Sequence, residues 1–268
     1  MVILMNNYKI IVSRARRRAI ETRKELGINL NEPIDEDIFK VLRKREKISI
    51  IVTELKGDIS GFFLRKGDIG LIVINSSRSL GHQRFTAAHE YYHFKYDTQM
   101  KGTICPIKKY NAVSKIEMEA NYFASHFLLP DGSLEYYVDK RTEGNKLNIR
   151  DLIYLENYFM VSHSLLLFRL KLINIISKKE IELMKDGIIS KANRIGYRTD
   201  LYKNTKEKGI IIYSDYAELA EELLEKGSIS YGKYEELLID GNFEDILFKE
   251  IGNENEEEME FETTLHSH

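Results

Sequence analysis

One cysteine in 268 residues leaves no partner for an internal disulfide, so a cross-linked secreted scaffold is excluded and a reducing, cytoplasmic setting is expected. Long apolar runs are missing as well. No stretch approaches the roughly 18 residues that span a bilayer. The Met1 to Met5 run is too short for a secretory signal and has no small-residue cleavage site after it. No membrane partner is therefore expected. A formal charge of −2 supplies no general pull toward nucleic acid. Internal repeats and a Gly-rich phosphate loop are also missing. What is present, 43% hydrophobic and 31% charged residues, suits a globular chain of one or two domains.

Against this plain background stands His89-Glu90-Tyr91-Tyr92-His93, preceded by Arg84-Phe85-Thr86-Ala87-Ala88 and followed by Phe94-Lys95-Tyr96. Two histidines four apart, with glutamate directly after the first, are the minimum set for a zinc-dependent hydrolase. On a helix, four residues advance the chain by about 400° and about 6 Å, which lets both imidazoles reach one ion. Glu90 then lies beside that ion, positioned to take a proton from water and not to bind the metal. Phe85, Ala88, Tyr92 and Tyr96 recur at three- and four-residue steps, as on a buried helix.

A second helical pattern runs from Glu117 through Ala120, Asn121, Phe123 and Ala124 to Leu128 and Leu129, stopped by Pro130. Catalytic zinc takes three protein ligands and leaves a position to water, and two histidines with one glutamate are a known set. Glu117 is the expected third ligand, with Glu119 its rival on a different face. Asn121, one turn beyond Glu117, is expected to orient a ligand histidine through its outer nitrogen. Tyr96, Arg84 and His126 are the candidates for stabilising an oxyanion. Cys105 lies in the loop-like run Met100 to Pro106 between the two motifs; its thiolate is either an inhibitory fourth ligand or a small buried apolar group.

Together these residues resemble the ImmA/IrrE family of zinc metallopeptidases, gluzincin-like proteins with an HExxH motif. The family pattern is Arg-Phe-Thr-x-Ala-His-Glu-x-x-His, then Glu-x-x-Ala-Asn-x-Phe-Ala-x-x-Leu-Leu-x-Pro. Here the first stands at Arg84 to His93, and the second at Glu117 to Pro130 with one residue fewer before the proline. Most members carry Leu-Gly where this chain has Tyr91-Tyr92, which keeps the ligands and is expected to change packing behind the helix. The likeness covers the strands before the first motif and, more weakly, the chain to about residue 180. It implies an α+β, zincin-like fold with one Zn2+ per chain and regulatory proteolysis of a helix-turn-helix transcriptional repressor encoded nearby, in mobile-element, stress or defence control. Two other classes stand beside it: a non-catalytic zinc-containing binding module of the toxin-antitoxin kind, and a DNA-binding regulator.

The rest of the chain supplies the frame. Residues 1–135 are expected to form the catalytic domain, with N-terminal helices and a small three-stranded sheet at Ile48 to Leu55, Gly61 to Arg65 and Ile69 to Asn75. Arg14, Arg16, Arg17 and Arg18 are read as the solvated side of the first helix. Residues 136–185 carry a helix-turn-helix-like pattern whose second helix is too apolar to be an obvious base reader, so direct nucleic-acid binding is not favoured. A polar, irregular connection at 186–204 leads into a helical appendage to residue 250. An acidic tail at 251–268 is expected to be disordered, with His266 and His268 inert.

Overall fold

A computed structural model describes residues 2–34, 37–97, 102–106 and 114–247, with the side chains of 2–7 and 102–106 outside that description. It divides the chain into two compact units, 1–213 and 214–268.

The first unit is α+β, as expected. A long helix, α1 (Val2–Glu25), leads to α2 (Ile38–Glu46), whose start is fixed by Asp37 accepting from the Phe39 amide at 3.2 Å. Three strands follow: β1 (Ile48–Thr53), β2 (Ile59–Lys66) and β3 (Ile69–Asn75). In β1 alternate residues are buried, as in a strand with one face on a core. The chain then forms α3 (Leu80–Tyr96), β4 (Gly102–Pro106) and α4 (Lys115–Leu128).

Two strands enlarge the sheet beyond the three expected. The run containing Cys105, read from sequence as a loop, is the strand β4; it pairs antiparallel with β2, with Cys105 opposite Gly61. A short β5 (Ile211–Tyr213) pairs antiparallel with β1. The order is β4-β2-β3-β1-β5, with β1 and β3 parallel and β2 antiparallel to β3.

Most of α3 is buried, because the sheet covers one side and α4 the other. A helix buried on nearly every face is a core helix. Its approach to the sheet is close at Gly61, where an added Cβ would lie 2.6 Å from Thr86 Cγ2 and 2.7 Å from the Val73 carbonyl oxygen. Only hydrogen fits there.

Beyond α4 come α5 (Asp131–Thr142), α6 (Ile149–Phe159) and α7 (His163–Leu172). The α6–α7 pair has the expected helix-turn-helix outline, and its turn abuts the start of α3: a Cβ on Gly81 would lie 2.7 Å from the Ser162 nitrogen. Arg169 on α7 is fully buried, donates to the Leu129 carbonyl and pairs with Asp131. It is therefore a packing residue. The 186–204 stretch contains α9 (Ile188–Arg194), preceded by α8 (Lys178–Met184), and buries Ala192 and Leu201. Hydrogen bonds of 2.9 Å from Leu80 to Lys203 and from Thr205 to Ser76 tie its end to the start of α3.

The second unit contains α10 (Tyr216–Glu225) and α11 (Tyr231–Asp240), packed around Ala220, Tyr234, Leu238 and Leu247. The acidic tail, with His266 and His268, lies outside the described residues. Among the described residues no helix is long and apolar enough to cross a membrane.

Candidate metal centre

Helices α3 and α4 bring His89, His93 and Glu117 together, with one donor atom from each within 4.8 Å of the others. The individual separations are tighter. His89 Nε2 lies 3.3 Å from His93 Nε2 and 3.3 Å from Glu117 Oε2, and His93 Nε2 lies 3.2 Å from Glu117 Oε1. Tetrahedral zinc with bonds of about 2.0–2.1 Å holds its ligands about 3.3 Å apart. The donor set, the count and the spacing all fit such an ion.

Protonation points the same way. Burial pushes the His89 imidazole down, against the opposing pull of Glu117, which keeps its lone pair available. Hydrogen bonding to His89, then to His93, holds the Glu117 carboxyl well below the usual carboxylate range. Asn121 Oδ1 lies 3.1 Å from His89 Nδ1, so that nitrogen carries the proton and Nε2 faces the donor cluster. Glu90, next to His89, is fully buried.

Sequence reasoning missed three neighbours. Asp97 sits one turn after His93, with its carboxylate 3.8 Å from His93 Nδ1. A carboxylate four residues after a ligand histidine was a readable signal. Phe63, on β2, stacks on the His93 ring at a 6° interplanar angle and 6.2 Å between centroids; nothing local in the sequence pairs them. His82 lies seven residues, or two turns, before His89 and meets the Ser60 hydroxyl at 3.1 Å.

The remaining candidates have other partners. Glu119 is 2% exposed and turns toward α1, where Arg14 and Arg18 both bind it. Those arginines and Arg16, which pairs with Asp131 at 2.7 Å, are thus ion-paired ties between helices and not simply a solvated face. Arg84 donates to the Met160 carbonyl at 2.9 Å and approaches Asp37. Tyr96 meets the Thr22 hydroxyl at 2.7 Å, and the Arg18 guanidinium lies 4.4 Å from its ring centroid. His126 lies 3.4 Å from Asp131. It is nine residues past Glu117, about half a turn out of phase and roughly 13 Å along the axis. The Cys105 side chain is outside the described residues.

The α+β fold gathers between two buried helices a two-histidine, one-glutamate set that could hold a metal ion. Comparison with known proteins shows what part of the chain is similar to. Residues 43–171, just under half the chain, match a peptidase family model described as the IrrE N-terminal-like domain. The match spans both motifs, the sheet from β1 to β4, and the helices to α7. A further similarity is to uncharacterized immunity region protein 2 of Bacillus phage phi105, 32% identical over 96 residues. That alignment covers 36% of this chain and 60% of the phage protein's length.

Proposed function

We propose that the chain is a zinc-dependent endopeptidase with His89, His93 and Glu117 as ligands. The observation that carries this reading is the convergence of the His89 and His93 Nε2 atoms, 3.3 Å apart, on the Glu117 carboxylate, whose two oxygens lie 3.3 and 3.2 Å from them, beside the buried Glu90. When bound, zinc supplies the Lewis acidity that acidifies water and polarises a peptide carbonyl. Glu90 accepts the proton of the attacking water and delivers it to the leaving amine. Asn121 fixes the ring orientation and tautomer of His89. Strand β4, at one edge of the sheet, takes an extended substrate by strand addition. Cys105 on that strand is the candidate inhibitory thiolate; activity of Cys105→Ala above the parent's is the sign of that switch.

The substrate class rests on resemblance: limited, regulatory proteolysis of a helix-turn-helix repressor encoded nearby. The phage relative, named for an immunity region, supports a regulatory setting. The test is co-expression with the neighbouring repressor under inducing conditions. Loss of intact repressor with the parent chain and its retention with Glu90→Ala support the reading; equal survival with both overturns it.

A further inference from the structure

Behind His89, on the side of its Nδ1 atom and away from the donor cluster, lies a partly open cavity of about 210 Å³. Phe85, one turn before His89, lines it and has its ring centroid 6.3 Å from that imidazole. Asn121 lines it too, with Oδ1 3.1 Å from His89 Nδ1. Neither Glu90 nor any of the three donors is among its described walls, so the cavity is a site apart from the proposed chemistry.

The rest of the described wall is apolar or aromatic. Leu165 and Phe168 reach in from α7, and Tyr8 of α1 meets Tyr122 of α4 through their hydroxyls. Protein interiors keep few voids larger than a water molecule, so an apolar space of this size is a place for a guest. A dry cavity of about 150 Å³ takes benzene, and this one has room for a ring with a few further atoms. None of the described lining residues carries a formal charge, and a charged guest would lose its water with nothing to replace it. One polar group is left for recognition. The Asn121 amide uses its oxygen on His89, and among the described residues its Nδ2 meets no acceptor. That nitrogen is a donor suited to a carbonyl oxygen.

From these features we infer that the cavity binds a small neutral molecule with an aromatic ring and one carbonyl oxygen, and that its occupancy is felt at the metal centre through Asn121. The ring lies among Phe85, Leu165 and Phe168, and the oxygen accepts from Asn121 Nδ2. A bond accepted there polarises the amide, which makes Oδ1 a stronger acceptor for the His89 Nδ1 proton and Nε2 a better metal donor. Guest and zinc then each tighten the other by the same factor. The coupling rests on the zinc peptidase reading, whereas the binding site does not.

Acetophenone is the probe, with calorimetry on the full chain in metal-stripped and zinc-loaded form. It is expected to bind the stripped chain with a Kd of about 0.1–1 mM, as suits so small a guest, and to shift the NMR signal of the Asn121 side-chain amide. Acetone, which lacks the ring, and 1-phenylethylamine, a cation of the same size, are expected to bind at least about 10-fold more weakly. Asn121→Leu keeps the apolar volume and loses the donor, so acetophenone weakens by about 5- to 10-fold. Leu165→Trp fills the space and abolishes binding; if it does not fold, Asn121→Leu decides. Zinc loading is expected to tighten acetophenone by about 2- to 5-fold. No binding to the stripped parent, or binding unchanged in Asn121→Leu, overturns the site. Equal Kd values for the stripped and loaded chain overturn the coupling alone. A chain that takes up no zinc yet binds acetophenone overturns the zinc reading and the coupling with it, and leaves the site standing.

Discussion

Two glutamates two residues apart on α4 compete for the role of metal ligand, and their environments predict opposite phenotypes. Glu117 is 29% exposed and faces the two imidazoles. Glu119 is 2% exposed and holds Arg14 and Arg18, which are themselves 43% and 27% exposed. Breaking a buried ion pair costs about 3–5 kcal/mol when the remaining charge stays buried. Both arginines can turn toward water, so Glu119→Ala is expected at the lower end, about 3 kcal/mol. At about 2–4 °C per kcal/mol for a unit of this size, the melting temperature of metal-stripped protein falls by about 6–12 °C. Zinc content is retained. Glu117→Ala removes a donor together with its contacts to His89 and His93 on α3, and because Glu117 is part-exposed the stripped protein is expected to lose about 1–2 kcal/mol, less than Glu119→Ala loses. The zinc affinity of Glu117→Ala falls by more than about 100-fold, beyond the loss typical of an outer partner. Elemental analysis after dialysis, together with thermal melts in chelator, reads both quantities. Loss of zinc from a folded Glu119→Ala, with zinc retained by Glu117→Ala, refutes the assignment.

Three further outcomes follow from the same geometry. Glu90→Gln is expected to keep one zinc per chain while cleavage of the repressor slows by about 10²- to 10⁴-fold, the range of a lost general base; parental cleavage or loss of the metal contradicts this role. Gly81→Ala places a methyl 2.7 Å from the Ser162 nitrogen and 2.9 Å from its Cα, and is expected to cost about 1–3 kcal/mol in chemical denaturation. An unchanged midpoint contradicts the close approach. Burial lowers His82 from its ordinary 6.5 to about 4, so between these values the unfolded chain binds a proton that the native chain refuses. Its contribution is complete above about pH 6.5 and is lost as pH falls toward 4, by at most about 3 kcal/mol. In His82→Gln that part of the acid limb flattens, and a slope equal to the parent's counts against it.

Local pattern made α3, α4 and the three central strands legible, since helical spacing and strand runs are written in adjacent residues. Strands β4 and β5 were not legible. The five residues of β4 lie between Lys101 and Ile107 with a glycine at one end and a proline at the other, and they become a strand only by pairing with β2. The three of β5 need β1, more than 150 positions earlier. The site divides in the same way. His89, Glu90 and His93 are set by one helix, and Asn121 follows from Glu117 by a single turn. Arg84, Tyr96 and His126 have suitable chemistry for an oxyanion, yet their partners, Met160, Thr22 and Asp131, lie outside the local pattern that suggested them. Phe63 over His93 is the converse, a neighbour with no local signal.

Tyr91 and Tyr92 show how a departure from a pattern can be read while its purpose is not. Where most members resembling this chain carry leucine and glycine, it has two phenols inside the core, each nearly or fully buried. Tyr91 donates to Glu46 at 2.7 Å, at the end of α2, and its ring meets Phe123 and Phe127 of α4. The Tyr92 hydroxyl accepts from Arg18 of α1 at 2.6 Å, while its ring lies edge-on to His93. Burial raises the pKa of both phenols, so each remains a neutral donor or acceptor across the working range. A glycine at 92 would remove the α3 hydroxyl that Arg18 of α1 holds and leave Tyr96 as its contact on that helix. Arg18, which binds both the Tyr92 hydroxyl and the Glu119 carboxylate, links the ligand-bearing turns of α3 and α4 through one guanidinium. The bulky residues thus hold the relative placement of the two helices, and it is that placement that sets the distances from His89 and His93 to Glu117.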